Sequence, residues 1–123
     1  IMKEVVFIVN PAAKNGAALR TWNKIEKMLK EKIEFEVYYS KRAGHAKKLA
    51  AHLAIEKQHP FLLVAVGGDG TIHEVVNGII SHPHVIIAYI PAGSGNDFSR
   101  GYKLPQNPQK CARIIFDRMS TNI

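Results

Sequence analysis

Hydrophobic runs of strand length alternate with amphipathic stretches along most of the chain. Three of these runs are "EVVFIV" at 4–9, "FLLVAV" at 61–66 and "VIIAYI" at 85–90. The first is rich in β-branched residues and shows no polar alternation, which is typical of a strand whose two faces are both covered, as in a parallel sheet. The segment "IEFEVYY" at 33–39 alternates apolar and acidic residues, which predicts a strand nearer the sheet edge.

Amphipathic segments follow these strands. Apolar residues at spacings of three and four predict a first helix, and they are Leu19, Trp22, Ile25, Met28 and Leu29. Further helices are predicted at about 46–57 and 72–80. The pair Asn107-Pro108 predicts the start of a last helix, because a proline at the first helical position follows a capping residue.

Strands that alternate with helices predict the α/β class, here a three-layer, Rossmann-like domain with a mainly parallel sheet flanked by helices. In such sheets ligands bind beyond the carboxyl ends of the strands. Three polar, glycine-bearing segments each follow a strand directly, namely "NPAAKNG" at 10–16, "GGDGT" at 67–71 and "PAGSGNDFSR" at 91–100. Because parallel strands end at the same edge, we expect these three loops to form one site.

Composition and charge bound the partners of this 123-residue chain. Its 17 Lys and Arg residues exceed its 10 Asp and Glu residues, for a net charge of +7. A basic protein attracts anionic partners, but solvated helix faces explain the same charges, and no segment matches a nucleic-acid motif. The apolar runs are too short to span a bilayer. The single cysteine, Cys111, fits a cytoplasmic location. We expect no nucleic acid as a partner.

The segment "GGDGT" carries the clearest chemistry. Gly67 and Gly68 lack a Cβ, so they can adopt positive φ and let a ligand approach the main chain. A helix that begins near Thr71 would turn its free N–H groups and its dipole toward that space, which favours phosphate. Asp69 would repel a bare phosphate, and it fits the site if it acts through Mg²⁺. Thr71 and Glu74 also match a capping box, which leaves a structural role open for both.

Two common phosphate-binding motifs are excluded. The dinucleotide fingerprint requires a third glycine where this chain has His73 or Phe98, and no G-x-x-x-x-G-K-[ST] segment occurs. Residue patterns alone therefore predict a phosphate-binding α/β domain and no particular reaction.

The three loops together resemble the catalytic domain of the diacylglycerol kinase and sphingosine kinase superfamily, particularly the bacterial lipid kinases. In that family an NP-containing turn precedes a G-G-D-G-T loop that commonly continues as "INEVVNG", and a P-x-G-T-x-N-D-F-A-R segment follows. The counterparts here, in the same order, are "NPAAKNG", "GGDGTIHEVVNG" and "PAGSGNDFSR". The segment "SKRAGHAKKLA" at 40–50 also resembles the family's stretch between the second strand and the second helix.

The resemblance implies transfer of phosphate from ATP to a lipid hydroxyl such as that of diacylglycerol, with Mg²⁺ linked to Asp69. Asp97 and Arg100 would lie with Asp69 at the reacting side of the cleft. The residues implied in nucleotide binding are Asn10, Pro11, Ser40, Gly67, Gly68, Asp69, Gly70, Thr71, Glu74, Ser94 and Asn96. Lys14 and Arg20 lie near the first loop, where contact with phosphate, with an anionic membrane or with solvent alone stays open.

The sequence departs from the family pattern at several positions. Ser40 and Ser94 replace the usual threonine, His73 replaces a frequent asparagine, and Ala13 and Lys14 replace serine and glycine. We expect residues 1–123 to form one nucleotide-binding catalytic domain without the family's C-terminal β-rich lipid-binding domain, and full activity to need that domain. An NAD kinase-like enzyme and a non-catalytic nucleotide-binding or regulatory module remain alternatives.

Overall fold

Strands and helices alternate throughout residues 4–91, the part of the chain that the structure, a computed structural model, describes. The elements in chain order are β1 (Val5–Val9), α1 (Ala17–Leu29), β2 (Glu36–Tyr39), α2 (His45–Glu56), β3 (Phe61–Gly67), α3 (Asp69–Ile79) and β4 (Val85–Pro91). The predicted α/β class is confirmed. The helix predicted after Asn107-Pro108 lies outside the described residues.

The described strands form one parallel sheet in the order β2-β1-β3-β4. β2 pairs only with β1 among these strands, so its predicted position near an edge is confirmed. β2 begins at Glu36 rather than at residue 33. Ile33 and Phe35 instead pack, half-buried, against the core on the α1 side before pairing with β1 begins. Their apolar alternation reflects this one-sided burial.

Both faces of the sheet are covered at its central strands, β1 and β3. Alternate side chains of β1, such as Phe7 and Val9, pack with α1, whereas Val6 and Ile8 point to the opposite face beneath α2 and α3. All residues of β1 and β3 are buried. Burial on both faces explains why these two strands carry unbroken apolar sequences, as a parallel sheet requires.

The buried stripe of α1 consists of Ala18, Trp22, Ile25 and Leu29. Trp22 packs on Phe7 with 4.7 Å between ring centroids, and its indole N–H donates to the Tyr39 hydroxyl over 3.0 Å. Leu19, predicted to belong to the stripe, is 37% exposed. Ala18 takes that place because residues 18, 22, 25 and 29 lie on one face of a 3.6-residue helix.

Helices α2 and α3 pack closely together at Gly78. A Cβ added there would lie 2.5 Å from the Lys47 carbonyl oxygen and 2.9 Å from the Ala50 Cβ. Only a residue without a side chain allows this approach. The contact matters for the site because the N-terminal ends of both helices reach the carboxyl edge of the sheet.

A charge cluster joins the opposite edge of the sheet to the end of α2. The Lys57 ammonium donates to Glu4, before β1, and to Glu36 at 2.9 Å in β2, and the His59 ring also contacts Glu4. The hydrogen bond to Lys57, and then that to His59, lowers the pKa of Glu4. The hydrogen bonds to Glu36 and Glu4 raise the pKa of Lys57.

Within residues 4–91, no helix combines the length and the apolar character that crossing a membrane requires.

Candidate functional site

A polar cleft of about 520 Å³ opens at the carboxyl edge of the sheet. This volume falls in the range of small-molecule sites. The loops after β1, β2 and β3 form this cleft. The sequence predicted that the loops after β1 and β3 belong to the site. Its described lining residues are Asn10, Ala12, Ala13, Lys14, Ser40, Lys41, Arg42, Ala43, Ala46, Gly68, Asp69, Gly70, Thr71 and Glu74.

The turn from β3 into α3 forms one wall of the cleft. α3 begins at Asp69, earlier than predicted, and Gly68 is its N-cap residue without a side-chain cap. Gly68 has φ −100° and is extended, so the positive φ suggested for it is not used. The helix N-terminus faces the cleft through Gly68, Asp69 and Gly70. The first N–H groups of a helix lack partners within the helix, and with the dipole they favour an anion.

Gly67 supports this wall from behind and does not line the cleft. A Cβ at Gly67 would lie 2.5 Å from the Thr71 hydroxyl oxygen, so glycine lets the Thr71 side chain fold over the strand end. The Gly67 carbonyl accepts a hydrogen bond of 3.3 Å from the Tyr89 hydroxyl. The close approach at Gly67 is therefore to the protein's own side chain.

One carboxylate oxygen of Asp69 is buried at the cleft wall and finds no hydrogen-bond partner within the described part of the chain. An unpartnered buried oxygen is unfavourable unless a cation or donor joins it. A carboxylate is a ligand type that Mg²⁺ takes, together with water and phosphate oxygens. Residues 4–91 hold no cluster of three metal-ligating side chains. Asp69 thus fits a Mg²⁺ that arrives with a phosphate ligand.

The capping-box interpretation of Thr71 and Glu74 is wrong. Thr71 lies inside the helix and is only 4% exposed. Glu74 uses its Oε2 to accept a hydrogen bond of 3.1 Å from the Gly44 N–H, thirty residues earlier in the chain. Glu74 therefore connects α3 to the loop between β2 and α2 rather than to its own helix start.

The loop after β1 presents Asn10 and Lys14 to the cleft. The Asn10 side chain accepts a hydrogen bond of 3.2 Å from the Ala12 N–H, and the Asn10 backbone N–H donates to the Val66 carbonyl. Lys14 and Asn15 both have φ 55°, and Gly16 has φ 91°. Consecutive left-handed residues turn the chain sharply into α1. Pro11 is part of this turn and does not line the cleft.

The loop after β2 contributes basic side chains that the sequence analysis missed. Ser40 is buried at its start, and Lys41, Arg42 and Ala43 line the cleft beside it. The segment "SKRAGHA" was compared with the family, but only Ser40 was selected from it. The signal that Lys41 and Arg42 belong to the site is their position directly after a strand of a parallel sheet.

The structure brings together most of the described residues that the sequence analysis selected. Asn10, Ser40 and Gly68 line one cleft with Asp69, Gly70, Thr71 and Glu74. Four further selected residues lie outside the described part of the chain, and they are Ser94, Asn96, Asp97 and Arg100.

A parallel sheet with a helix N-terminus, a carboxylate and basic side chains at its carboxyl edge defines an α/β domain suited to an anionic ligand at that edge. Residues 4–123 match the model of the diacylglycerol kinase catalytic domain. The chain belongs to that family.

Proteins that are named as kinases are similar to this chain in sequence. The chain is 39% identical over 98 residues to a diacylglycerol kinase of Staphylococcus carnosus, covering 79% of this chain and 31% of that protein. It is 30% identical to the sphingoid long chain base kinase 5 of Saccharomyces cerevisiae, covering 98% of this chain and 19% of that protein. The chain thus spans about a third or less of these relatives.

A crystal structure of a diacylglycerol kinase from Bacillus anthracis strain Sterne superposes on the chain with a TM-score of 0.80 at 32% identity. The match covers 94% of this chain and 40% of that structure. The similarity between this chain and that structure therefore concerns the fold of the catalytic domain.

Proposed function

We propose that the chain is the nucleotide-binding part of a lipid kinase, which transfers the γ-phosphate of Mg-ATP to a lipid hydroxyl such as that of diacylglycerol. The observation that carries this proposal is the buried oxygen of Asp69 at the N-terminus of α3, which has no hydrogen-bond partner among residues 4–91. In a family named for diacylglycerol kinase, that oxygen is suited to a nucleotide-bound Mg²⁺. Mg²⁺, when bound, would neutralise phosphate charge.

Phosphoryl transfer depends on positioning and charge stabilisation more than on covalent help from the protein. Backbone N–H groups at Gly68 and Gly70 would hold phosphate oxygens, while Lys14, Lys41 and Arg42 add positive charge around the cleft. The phosphorus–oxygen bond to ADP breaks as a bond to the lipid oxygen forms, and the hydroxyl proton passes to a base. We assign that base to none of residues 4–91.

The remaining selected residues complete the proposed site. Ser94 and Asn96 would add contacts to the phosphates, and Asp97 and Arg100 would face the lipid hydroxyl. Arg100 would stabilise the charge on the transferred group, as a cation does in other phosphoryl transfers. The two relatives are named for different lipids, so the proposed acceptor is a class, a lipid alcohol. A protein acting on such lipids would meet an anionic membrane peripherally, at its cytoplasmic face.

The test is a transfer assay with the intact protein. We expect radiolabelled γ-phosphate from Mg-ATP to appear in lipid when vesicles contain diacylglycerol or a sphingoid base, and omission of Mg²⁺ to abolish the signal. Calorimetry with Mg-ATP measures the binding step separately. Transfer to NAD and to no lipid would favour the NAD kinase-like alternative. Binding of Mg-ATP without any transfer would favour a regulatory module.

A further inference from the structure

The loop at 40–44 is attached to helix α3 through Glu74. Its Oε2 accepts the Gly44 N–H at 3.1 Å, a contact between residues thirty positions apart. Gly44 has φ +85°, a conformation that other residues rarely adopt, and it precedes the first residue of α2. Glu74 therefore fixes the loop at the point where the chain turns into α2.

The same loop is also closed internally. The Lys41 N–H donates to Nδ1 of His45 over 2.9 Å, and the His45 N–H donates to the Arg42 carbonyl over 3.1 Å. Within this closed turn, the Glu74 contact is the hydrogen bond that ties it to α3. Without that bond we expect the turn to keep its local shape but to move more freely relative to the N-terminus of α3.

The position of the loop decides which part of a ligand it can meet. The sheet order places β2 two strands away from β3, with β1 between them. Neighbouring strands lie about 4.8 Å apart, so the end of β2 is roughly 10 Å from the end of β3. A phosphate at the N-terminus of α3 leaves the far end of the cleft, beside residues 40–44, for the rest of the molecule. In a nucleotide, that part is the nucleoside.

We propose that Glu74 is a positioning residue, which holds loop 40–44 against α3 so that the loop forms the wall for the nucleoside end of a bound nucleotide. Glu74 acts here as a hydrogen-bond acceptor for a backbone N–H, and its negative charge is not required. A free carboxylate in this cleft would repel phosphate, whereas one engaged with Gly44 has a stabilising partner. The identity of the ligand in this inference rests on the proposed function. The position of the loop rests on the hydrogen bond between Glu74 and Gly44.

The test compares Glu74→Ala with Glu74→Gln in the intact protein. The glutamine keeps a carbonyl oxygen that can accept the Gly44 N–H, and alanine does not. We expect Glu74→Ala to weaken Mg-ATP binding about tenfold, because a bond to a charged acceptor is lost, and Glu74→Gln to stay within about threefold of the wild type. Binding of inorganic tripolyphosphate with Mg²⁺, which lacks a nucleoside, should change less than about twofold in both variants.

Limited trypsin digestion provides a readout that needs no ligand. Lys41 and Arg42 are exposed tryptic sites within the loop, and Lys30, exposed after α1, is an internal reference. We expect faster cleavage at Lys41 and Arg42 in Glu74→Ala alone, with the rate at Lys30 unchanged. Glu56→Ala is the matched control, because Glu56 is an exposed carboxylate whose partner is His52 on the same helix.

The outcomes separate this inference from the proposed function. If Glu74→Gln loses as much Mg-ATP binding as Glu74→Ala, the carboxylate itself contacts the ligand or metal, and the positioning role is overturned. Unchanged cleavage at Lys41 and Arg42 in Glu74→Ala overturns it as well. A wild-type protein that binds no Mg-ATP overturns the proposed function, while the digestion still decides whether Glu74 holds the loop.

Discussion

Asp69 is half-buried and has one buried carboxylate oxygen without a hydrogen-bond partner in the described part of the chain, which is unusual for a surface helix start. The adjacent glycines leave its carboxylate beside the cleft, and α3 buries Thr71, Ile72, Val75 and Gly78 on its other face. A carboxylate in this setting contributes through charge rather than through packing. Changes that keep its shape and remove its charge therefore separate chemistry from folding.

We expect Asp69→Asn to lower turnover of the intact protein by at least ~10²-fold, because electrostatic stabilisation is a large term in such reactions. Thermal unfolding should change little, since the buried oxygen of Asp69 has no hydrogen bond to lose with any of residues 4–91. Steady-state kinetics with Mg-ATP and calorimetry of unfolding measure the two effects. Glu34→Gln, at an exposed position before β2, is the control. Near-normal turnover in Asp69→Asn would contradict the role assigned to Asp69.

Helix α3 shows where local sequence patterns predict an element correctly and its details wrongly. The residue types of "GGDGTIHEVVNG" predicted a glycine turn before a helix, and both exist. The T-x-x-E pattern at Thr71 and Glu74 predicted a cap, yet the partner of Glu74 is Gly44 in another part of the chain. A contact between residues so far apart depends on how α2 and α3 pack, which no local pattern encodes.

The α2–α3 packing provides a prediction about two glycines in one helix. Gly78→Ala should destabilise the domain by about 1–2 kcal/mol, because overpacking against the Lys47 backbone outweighs the helix-propensity gain. Gly70→Ala, with open space around the added Cβ, should leave the domain as stable or stabilise it by up to about 1 kcal/mol. Urea unfolding followed by circular dichroism measures both. Equal effects at the two positions would show that the α2–α3 contact does not limit side-chain size.

At the scale of the whole domain, charge is distributed between the two edges of the sheet. The cleft occupies the carboxyl edge, and the cluster of Lys57, Glu4, Glu36 and His59 occupies the amino edge. Lys57 is largely buried, with 12% of its side chain exposed, so it binds the starts of β1 and β2 to the end of α2. This cluster is remote from the cleft and stabilises the sheet.

The pKa shifts in this cluster predict how stability depends on pH. The pKa of Glu4 lies below the ordinary value of 4.5, so its contribution is present above that pH and is lost as pH falls through the lowered pKa. The pKa of Lys57 is raised above 10.5, so its contribution is present below that pH and is lost only as pH rises through the raised pKa. The interaction between Lys57 and Glu4 should therefore stabilise fully between about pH 5 and pH 10.

We expect Lys57→Met to cost about 1–2 kcal/mol at pH 7, since Glu4 loses a charged hydrogen-bond donor. The difference from wild type should shrink as pH falls through the lowered pKa of Glu4, because protonation of Glu4 removes the same interaction. Urea unfolding at pH 3, 5 and 7 measures this. Lys48→Met, an exposed position on α2, is the control. A pH-independent difference would mean that Lys57 stabilises through packing alone.

The sequence predicted the sheet, its parallel direction and the edge that carries the site, because burial on both faces leaves a continuous apolar signal in β1 and β3. It did not predict the basic wall at Lys41 and Arg42. Exposed basic residues look alike in sequence whether they face a cleft or open solvent. The sequence also placed Leu19 in the core. In the structure Leu19 is exposed, and the buried stripe of α1 begins one residue earlier, at Ala18.

The hydrogen bond between the Trp22 indole and the Tyr39 hydroxyl has a practical consequence. Trp22 is the single tryptophan of the chain, and the Tyr39 hydroxyl that it contacts belongs to the last residue of β2, next to Ser40 in the cleft. The indole is buried in the core, so its own surroundings are fixed. Any displacement of the strand end moves a phenol against a stationary chromophore. The domain thus contains an intrinsic fluorescent reporter of the loop that follows β2, and it needs no added label.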